Sequence, residues 1–370
     1  MKTNEGKRFM LIFISSLLIT SLLCFNFVRT VGGENFISRC VGFLIPSGDI
    51  EEKVKSISVS AKKALSLGEK AETDKNSNGQ TVKINSLAYT PDDIKSLMNK
   101  ESETFENQEK GGTIVSKTYS SESATQSEGN VYVKNTTGRS LDISETLKLP
   151  MALDNAKNGE ISVLIFHTHT TETYQILDKP NYLKSFSSRS NDEKMNMIRV
   201  GEEIASVLRS EGIGVIHDKT IYDSQYSGAY ERSGKAVDEY LKKYPTIQIV
   251  IDVHRDGIQS GETTKIKPVT TINGKKAAQI MIITGCEGNG VTGFPDWEYN
   301  LRFALNLQKK AEDMYPSLMR PLFFCNRKYN MYKSRCSVLL EMGSDANTLD
   351  EAAYSGRLIG DVLAKLIKSQ

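Results

Sequence analysis

The chain has 370 residues, 39% hydrophobic and 25% charged, enough apolar content for a full-sized core, so collagen-like, wholly disordered and disulfide-scaffold classes are excluded. Its 47 Lys and Arg against 45 Asp and Glu leave a formal charge of +2, with no global electrostatic footprint for a polyanion such as nucleic acid.

Residues 9–28 (FMLIFISSLLITSLLCFNFV) carry no charge, and about 20 helical residues cross the ~30 Å hydrocarbon core of a bilayer. Lys2, Lys7 and Arg8 precede this run and only Arg29 follows it closely. The positive-inside bias therefore predicts a cytoplasmic N-terminus, 1–8, a transmembrane anchor, 9–28, and an extracytoplasmic remainder. A cleaved signal peptide is the alternative. Against it, the run exceeds the usual ~7–15 residue apolar region and no A-x-A-like site follows. Cys24 lies in the proposed span; Cys40, Cys286, Cys325 and Cys336 are too few and scattered for a disulfide framework, with a Cys325–Cys336 bridge and separate buried thiols both open.

Residues 29–130 read as an extracytoplasmic linker or stalk, because stretches such as EKAETDKNSNGQ and SKTYSSESATQSEGN lack apolar periodicity. Within it TPDDIKSLMNK (90–100) predicts one helix starting at Thr90 or Pro91. A strand over Val131–Asn135 opens a domain running from 131 to 370. After Gly159 strands and amphipathic helices alternate, the pattern of a three-layer α/β fold with a mixed, mostly parallel sheet and helices on both faces. ISVLIF (161–166) predicts a buried strand, residues 195–212 a helix closed by Gly212, and IGVIHD (213–218) the next strand. A helix over about 234–243, stopped by Pro245, leads to IQIVIDVH (247–254), whose apolar run suits a strand buried on both faces. TKIKPVTTI and KKAAQIMIITG flank Asn273-Gly274, the strongest short hairpin signal, so one strand pair is expected antiparallel and the sheet mixed. A helix over 298–314, the strand SVLLEM (337–342) and a closing helix with a Thr348/Glu351 capping box complete the domain.

The chain has only four histidines, and two of them fall at the carboxyl ends of predicted buried strands, where open α/β sheets place ligand crevices. Those strand ends read His167-Thr-His169-Thr-Thr-Glu172 and His254-Arg255-Asp256. Two imidazoles and a carboxylate can hold Zn²⁺ with a fourth position open for water. His169, Glu172 and His254 are the favoured set, while Asp192 and Glu193 on the following loop offer further carboxylates. His167 at the strand end is open between ligand and buried histidine donating to a main-chain carbonyl; His217 reads as structural. Amide hydrolysis also needs a base to move the water proton to the leaving nitrogen. Glu341, after an apolar strand and before a Gly-Ser turn, is placed for that role. Arg255 either steadies a developing oxyanion or substrate carboxylate, or pairs with Asp252 or Asp256. G-x-S-x-G, P-loop and G-x-G-x-x-G motifs are absent from the chain.

The segments VLIFHTHTTETY, RVGEEIASVLRSEGIGVIHDKT, IVIDVHRD and LLEMGSDANT together resemble the stage II sporulation protein P family of endospore-forming bacteria, over roughly 131–364. The resemblance implies a divergent branch of the zinc-dependent N-acetylmuramoyl-L-alanine amidases, whose zinc tripod and catalytic Glu fall here on His169, Glu172, His254 and Glu341. In the broader amidases the carboxylate ligand opens the first helix, which keeps Glu193 as a competitor to Glu172. The resemblance further implies a peptidoglycan hydrolase, with endopeptidase action also attributed to the family. It implies engulfment of the forespore as the setting, the septal membrane as the location, and stage II sporulation proteins D and M as partners. A non-catalytic wall-binding scaffold and a zinc endopeptidase or carboxypeptidase are the competing readings.

Overall fold

A computed structural model describes residues 73–75, 81–83, 87–154 and 159–370. The charge-free run 9–28 expected as an anchor lies outside the described residues, as do Cys24 and Cys40. Among the described residues no helix is long and apolar enough to cross a membrane. The chain divides into two units, Met1–Ile84 and Asn85–Gln370. In the first, β1 (Thr73–Lys75) and β2 (Thr81–Lys83) pair antiparallel.

The second unit begins well before residue 131, which corrects the reading of 29–130 as linker throughout. Helix α1 (Asp92–Ser102) starts at the expected place, with Pro91 at its N-cap, Asp92 and Asp93 in the first turn and Lys100 in the last, the arrangement that complements the helix dipole. Its Ile94 is fully buried in the main core, and Arg199 takes Asp93 with two hydrogen bonds of 2.7 and 3.1 Å. Next, β3 (Lys110–Lys117) and β4 (Gln126–Glu128) lead to β5 (Val131–Asn135) and α2 (Ile143–Lys148). Polar composition concealed these elements: β3 is largely exposed and pairs through its main chain, which leaves little apolar alternation to read.

From β6 (Ile161–Phe166) the predicted elements appear in order, α3 (Met197–Ser210), β8 (Gly214–His217), α4 (Ala229–Lys243) and β9 (Ile249–Asp256), with an unpredicted short strand β7 (Asn181–Leu183) before α3. Then come β10 (Gln259–Ser260), β11 (Thr264–Ile272), β12 (Lys275–Ala278), β13 (Ile280–Gly285), α5 (Trp297–Met314), β14 (Leu322–Cys325), β15 (Cys336–Ser344) and α6 (Leu349–Lys368). Thr348 caps α6 in a full capping box with Glu351, as expected. Cys286, Cys325 and Cys336 are buried free thiols.

Eight strands form the central sheet in the order β4-β5-β14-β13-β15-β9-β6-β8. It contains two parallel blocks, β15-β9-β6-β8 and β5-β14-β13, joined where β13 runs antiparallel to β15. The sheet is mixed as expected, for a different reason. The Asn273-Gly274 hairpin joins β11 to β12, with Asn273 and Gly274 both at positive φ, and it belongs to a second sheet, β10-β11-β3-β7. The run KKAAQIMIITG breaks at Gln279, and only its second half, β13, enters the central sheet.

Alternation along the strands divides the side chains between two faces. Ile251, Val253, Leu340, Ile280 and Leu322 point into the main core with residues of α3, α5 and α6. On the other face, α4 sets Val237, Tyr240 and Leu241 on Leu164, Phe166 and Val250. Farther along this second face lies a small cluster, Ile283, Cys325 and Leu339, that includes no helix residue. His254 and Glu341 stand on this partly covered face, two residues beyond Asp252 and Leu339 respectively.

Candidate active site

Parallel pairing of β9 with β15 places Glu341 directly beside His254 in register. The turn after β6 brings His169 and Glu172 to the same place, and buried aspartates determine its path. Asp252 accepts from the Thr168 main-chain N–H at 2.8 Å and from its hydroxyl at 2.6 Å. Asp223 accepts from the Thr171 N–H at 3.1 Å and its hydroxyl at 2.7 Å, and Arg189 closes on the same carboxylate. Glu172 donates its N–H back to the His169 carbonyl at 3.2 Å, which folds HTHTTE into a compact turn.

Glu172 Oε2 lies 3.7 Å from His254 Nδ1, and the His169 and His254 rings stand perpendicular with centroids 5.3 Å apart. All three residues are buried. His169 Nδ1, His254 Nε2 and Glu341 Oε2 are closed off from solvent without a hydrogen-bond partner, a state that ordinarily costs stability and marks a functional site. His254 Nε2 does approach Asp252 Oδ1 at 2.8 Å, an ion-pair distance without hydrogen-bond alignment. Among the described residues no group of three or more His, Cys, Asp or Glu is arranged as a ready-made metal site. The donor chemistry of His169, Glu172 and His254 nevertheless suits a metal, since two imidazoles and a carboxylate meet, with His254 turning Nδ1 towards Glu172 and Nε2 towards Asp252 and His169 Nδ1 left without a hydrogen-bond partner.

Electrostatics separate the roles. Burial, helped by His254 and Arg189, pulls His169 down to about 4, so its imidazole is neutral at pH 7. Burial also opposes charge on His254, but Asp252 and Glu172 outweigh it and raise the group to about 9. Burial drives Glu341 up to about 8, His254 moderating the rise. A cation at the site would lower both values by favouring the deprotonated forms.

Other expected residues separate cleanly from this set. His167 is fully buried and its Nδ1 faces the Val253 carbonyl at 2.9 Å, so that nitrogen carries the proton. Its Nε2 meets His217 Nε2 at 2.9 Å, and His217 Nδ1 meets Glu202 at 3.0 Å. Both are structural, and Gly201 is required over them because a Cβ there would lie 2.6 Å from each ring. Arg255 pairs with neither Asp252 nor Asp256 through their carboxylates. Its guanidinium donates to the main-chain carbonyls of Thr173 and Ser188, both at 2.8 Å, and of Asp256 at 3.3 Å, so it ties the 173–188 loop to β9 rather than steadying an oxyanion. Glu193 and Asp192 are exposed on the loop before α3.

Asp223, Tyr226 and Tyr230 complete the surroundings and were missed by sequence reasoning. Exposed Tyr226 stacks on His169, centroids 4.8 Å apart and rings parallel to 1°, and Tyr230 of α4 stacks near His254 at 6.4 Å. They sit in DKTIYDSQYSGAY, a polar loop with no spacing rule tying it to β6; only the early start of α4 brings it there. Asp252 was visible within IDVHRD, but as a partner for Arg255.

The fold and site thus define a mixed α/β protein with a buried His, Glu, His and Glu constellation. A profile of the family described as stage II sporulation protein P matches residues 55–364, and the chain belongs to that family. A curated relative, stage II sporulation protein P of Bacillus subtilis (strain 168), is 29% identical over 248 residues, 62% of this chain and 58% of that protein. The match thus spans less than two thirds of the relative's length. Solved structures with some likeness include N-acetylmuramoyl-L-alanine amidase AmiC2 of Nostoc punctiforme, at 12% identity and TM-score 0.34, over 58% of this chain and 98% of that one. The CwlD amidase of Clostridioides difficile, solved in complex with the GerS lipoprotein, gives 10% identity and TM-score 0.37, over 56% and 100%.

Proposed function

We propose that this chain is a zinc-dependent peptidoglycan hydrolase of sporulation that cuts the amide between the glycan lactyl group and L-alanine. The observation that carries the reading is the buried meeting of His169, Glu172 and His254 beside Glu341, which is in register with His254 on the neighbouring strand. Membership in the sporulation family supplies the setting. His169, Glu172 and His254 would hold the metal. When bound, it would acidify a water and polarise the amide carbonyl. Glu341, with one buried oxygen unpartnered, takes the proton of the attacking water and returns it to the amide nitrogen as the C–N bond breaks. Asp252 stands behind His254 and orients its ring, as outer-shell carboxylates commonly do for ligating histidines. Asp223 and Arg189 hold the turn carrying His169 and Glu172. The proposal includes an anchor at 9–28 with the domain outside the cell, at the septal membrane, working with stage II sporulation proteins D and M.

Product analysis tests this reading. The intact chain, loaded with zinc and given purified peptidoglycan, is expected to release whole stem peptides with a free alanine amine. Peptides shortened at their cross-links, with stems left on the glycan, would replace the amidase reading with an endopeptidase. Wall binding without any product would favour the scaffold.

A further inference from the structure

The face of the sheet that carries His254 and Glu341 does not stop at the reacting groups. Met281 lies beside Glu341, Phe323 beside Ile283, and Lys134 beside Phe323, each pair in register on neighbouring strands. These side chains share one face, on which the local apolar cluster holds no helix residue. A cavity of about 340 Å³ stands over this strip, lined by Met281, Ile283 and Phe323, by the carboxylates Glu341 and Asp256, and by the cations Arg320 and Lys134. A larger cavity of about 440 Å³, near α1 and the 183–190 loop, touches none of His169, Glu172, His254 or Glu341.

The two cations are available in different ways. Arg320 is only 8% exposed and lies over the Tyr119 ring at 5.0 Å, which fixes its plane. Among the described residues its guanidinium makes one hydrogen bond, from Nη1 to Asp256 at 3.0 Å, which leaves Nε and Nη2 as further donors there. Lys134 is exposed and pairs with no carboxylate among the described residues. An apolar floor flanked by a preorganised guanidinium and a free ammonium fits an extended peptide that bears carboxylates. In the reaction proposed above the two halves of the substrate differ in this respect. The lactyl carboxyl is consumed in the scissile amide and the sugars are neutral, whereas the stem peptide keeps free carboxylates.

We propose that this groove is the binding site for the acidic stem peptide, with Arg320 and Lys134 recognising its carboxylates beside Glu341. The inference rests on the amidase reading for the orientation of the substrate, and direct binding separates the two. With the full chain, the probe is a fluorescently labelled free tripeptide, L-Ala-γ-D-Glu-diaminopimelate, followed by anisotropy; muramyl tripeptide serves for turnover. Tripeptide affinity is expected to fall roughly tenfold or more in Lys134→Gln and in Arg320→Gln, with KM raised and kcat retained. The carboxamide form of the tripeptide should bind the parent as weakly as the acid binds the variants. Equal affinity for acid and carboxamide, or parental affinity in Lys134→Gln, overturns the proposal. Because Arg320 also holds Asp256, exposed Lys134 carries the test by itself should Arg320→Gln fail to fold. Lys134-dependent binding without turnover would sink the hydrolase reading and leave the groove; turnover with unaltered KM in both variants would do the reverse.

Discussion

Glu341 is held under electrostatic tension, since one carboxyl oxygen is buried without a partner and burial lifts its pKa to about 8. Because the folded value lies above the ordinary 4.5, this group favours the fold at low pH and costs stability as pH rises through 8. Metal-free Glu341→Gln should therefore gain on the parent in melting temperature as pH rises from about 4.5 to about 8, with the gap level above that, while losing turnover by roughly 100- to 10,000-fold; a parallel pair of melting curves would contradict the burial argument. Glu202 behaves in the opposite sense. The His217 hydrogen bond, reinforced by Lys219, holds it down at about 2 against desolvation, so its contribution is present above about pH 4.5 and fades as pH falls toward 2. Glu202→Gln should lose about 1 kcal/mol or less in urea unfolding at pH 7, because the carboxylate is over one-third exposed, and the difference should close in acid. At this scale the sequence showed His169, Glu172, His254 and Glu341 because each ends an apolar strand or sits in a short dense motif. Asp223 and Tyr226 were hidden, since a loop residue reaches a site through tertiary folding and not through any local period.

Among the elements, the βαβ pattern was legible wherever burial is two-sided, as in β6, β9 and β15. It failed where pairing is carried by the main chain alone, as in β3, and in the short strands β7 and β14. The capping box of α6 is a local device with a distant effect. Thr348 accepts from the Glu351 N–H at 3.1 Å, while Gln175, three residues after Glu172, is stitched to Asn347 and Leu349 at the same helix start by main-chain hydrogen bonds of 2.9 and 2.8 Å. Thr348→Ala should cost about 1 kcal/mol and loosen the 173–176 loop, read as faster amide hydrogen exchange there; unchanged exchange would separate the cap from the site loop.

Across the whole molecule, the domain needs the segment read from sequence as stalk. Ile94 contributes a fully buried side chain, worth roughly 1.5–3 kcal/mol. Arg357, 1% exposed, donates to the Leu87 and Tyr89 carbonyls and to Glu203, and β3 bridges β11 and β7. A chain starting at residue 131 should be aggregation-prone or melt far below one starting at 85; equal melting would restore the earlier boundary. The domain that results keeps its helices mainly on one face of the sheet and leaves part of the other uncovered, with His254 and Glu341 on that partly covered face. The most direct test of that account is the rate of stem-peptide release from peptidoglycan by the intact parent and Glu341→Gln at matched zinc content, with chelator controls. The account predicts release that chelator abolishes and zinc restores, and Glu341→Gln protein that holds zinc yet releases nothing. Release by Glu341→Gln at the parental rate, or release by the parent indifferent to chelator, would contradict it.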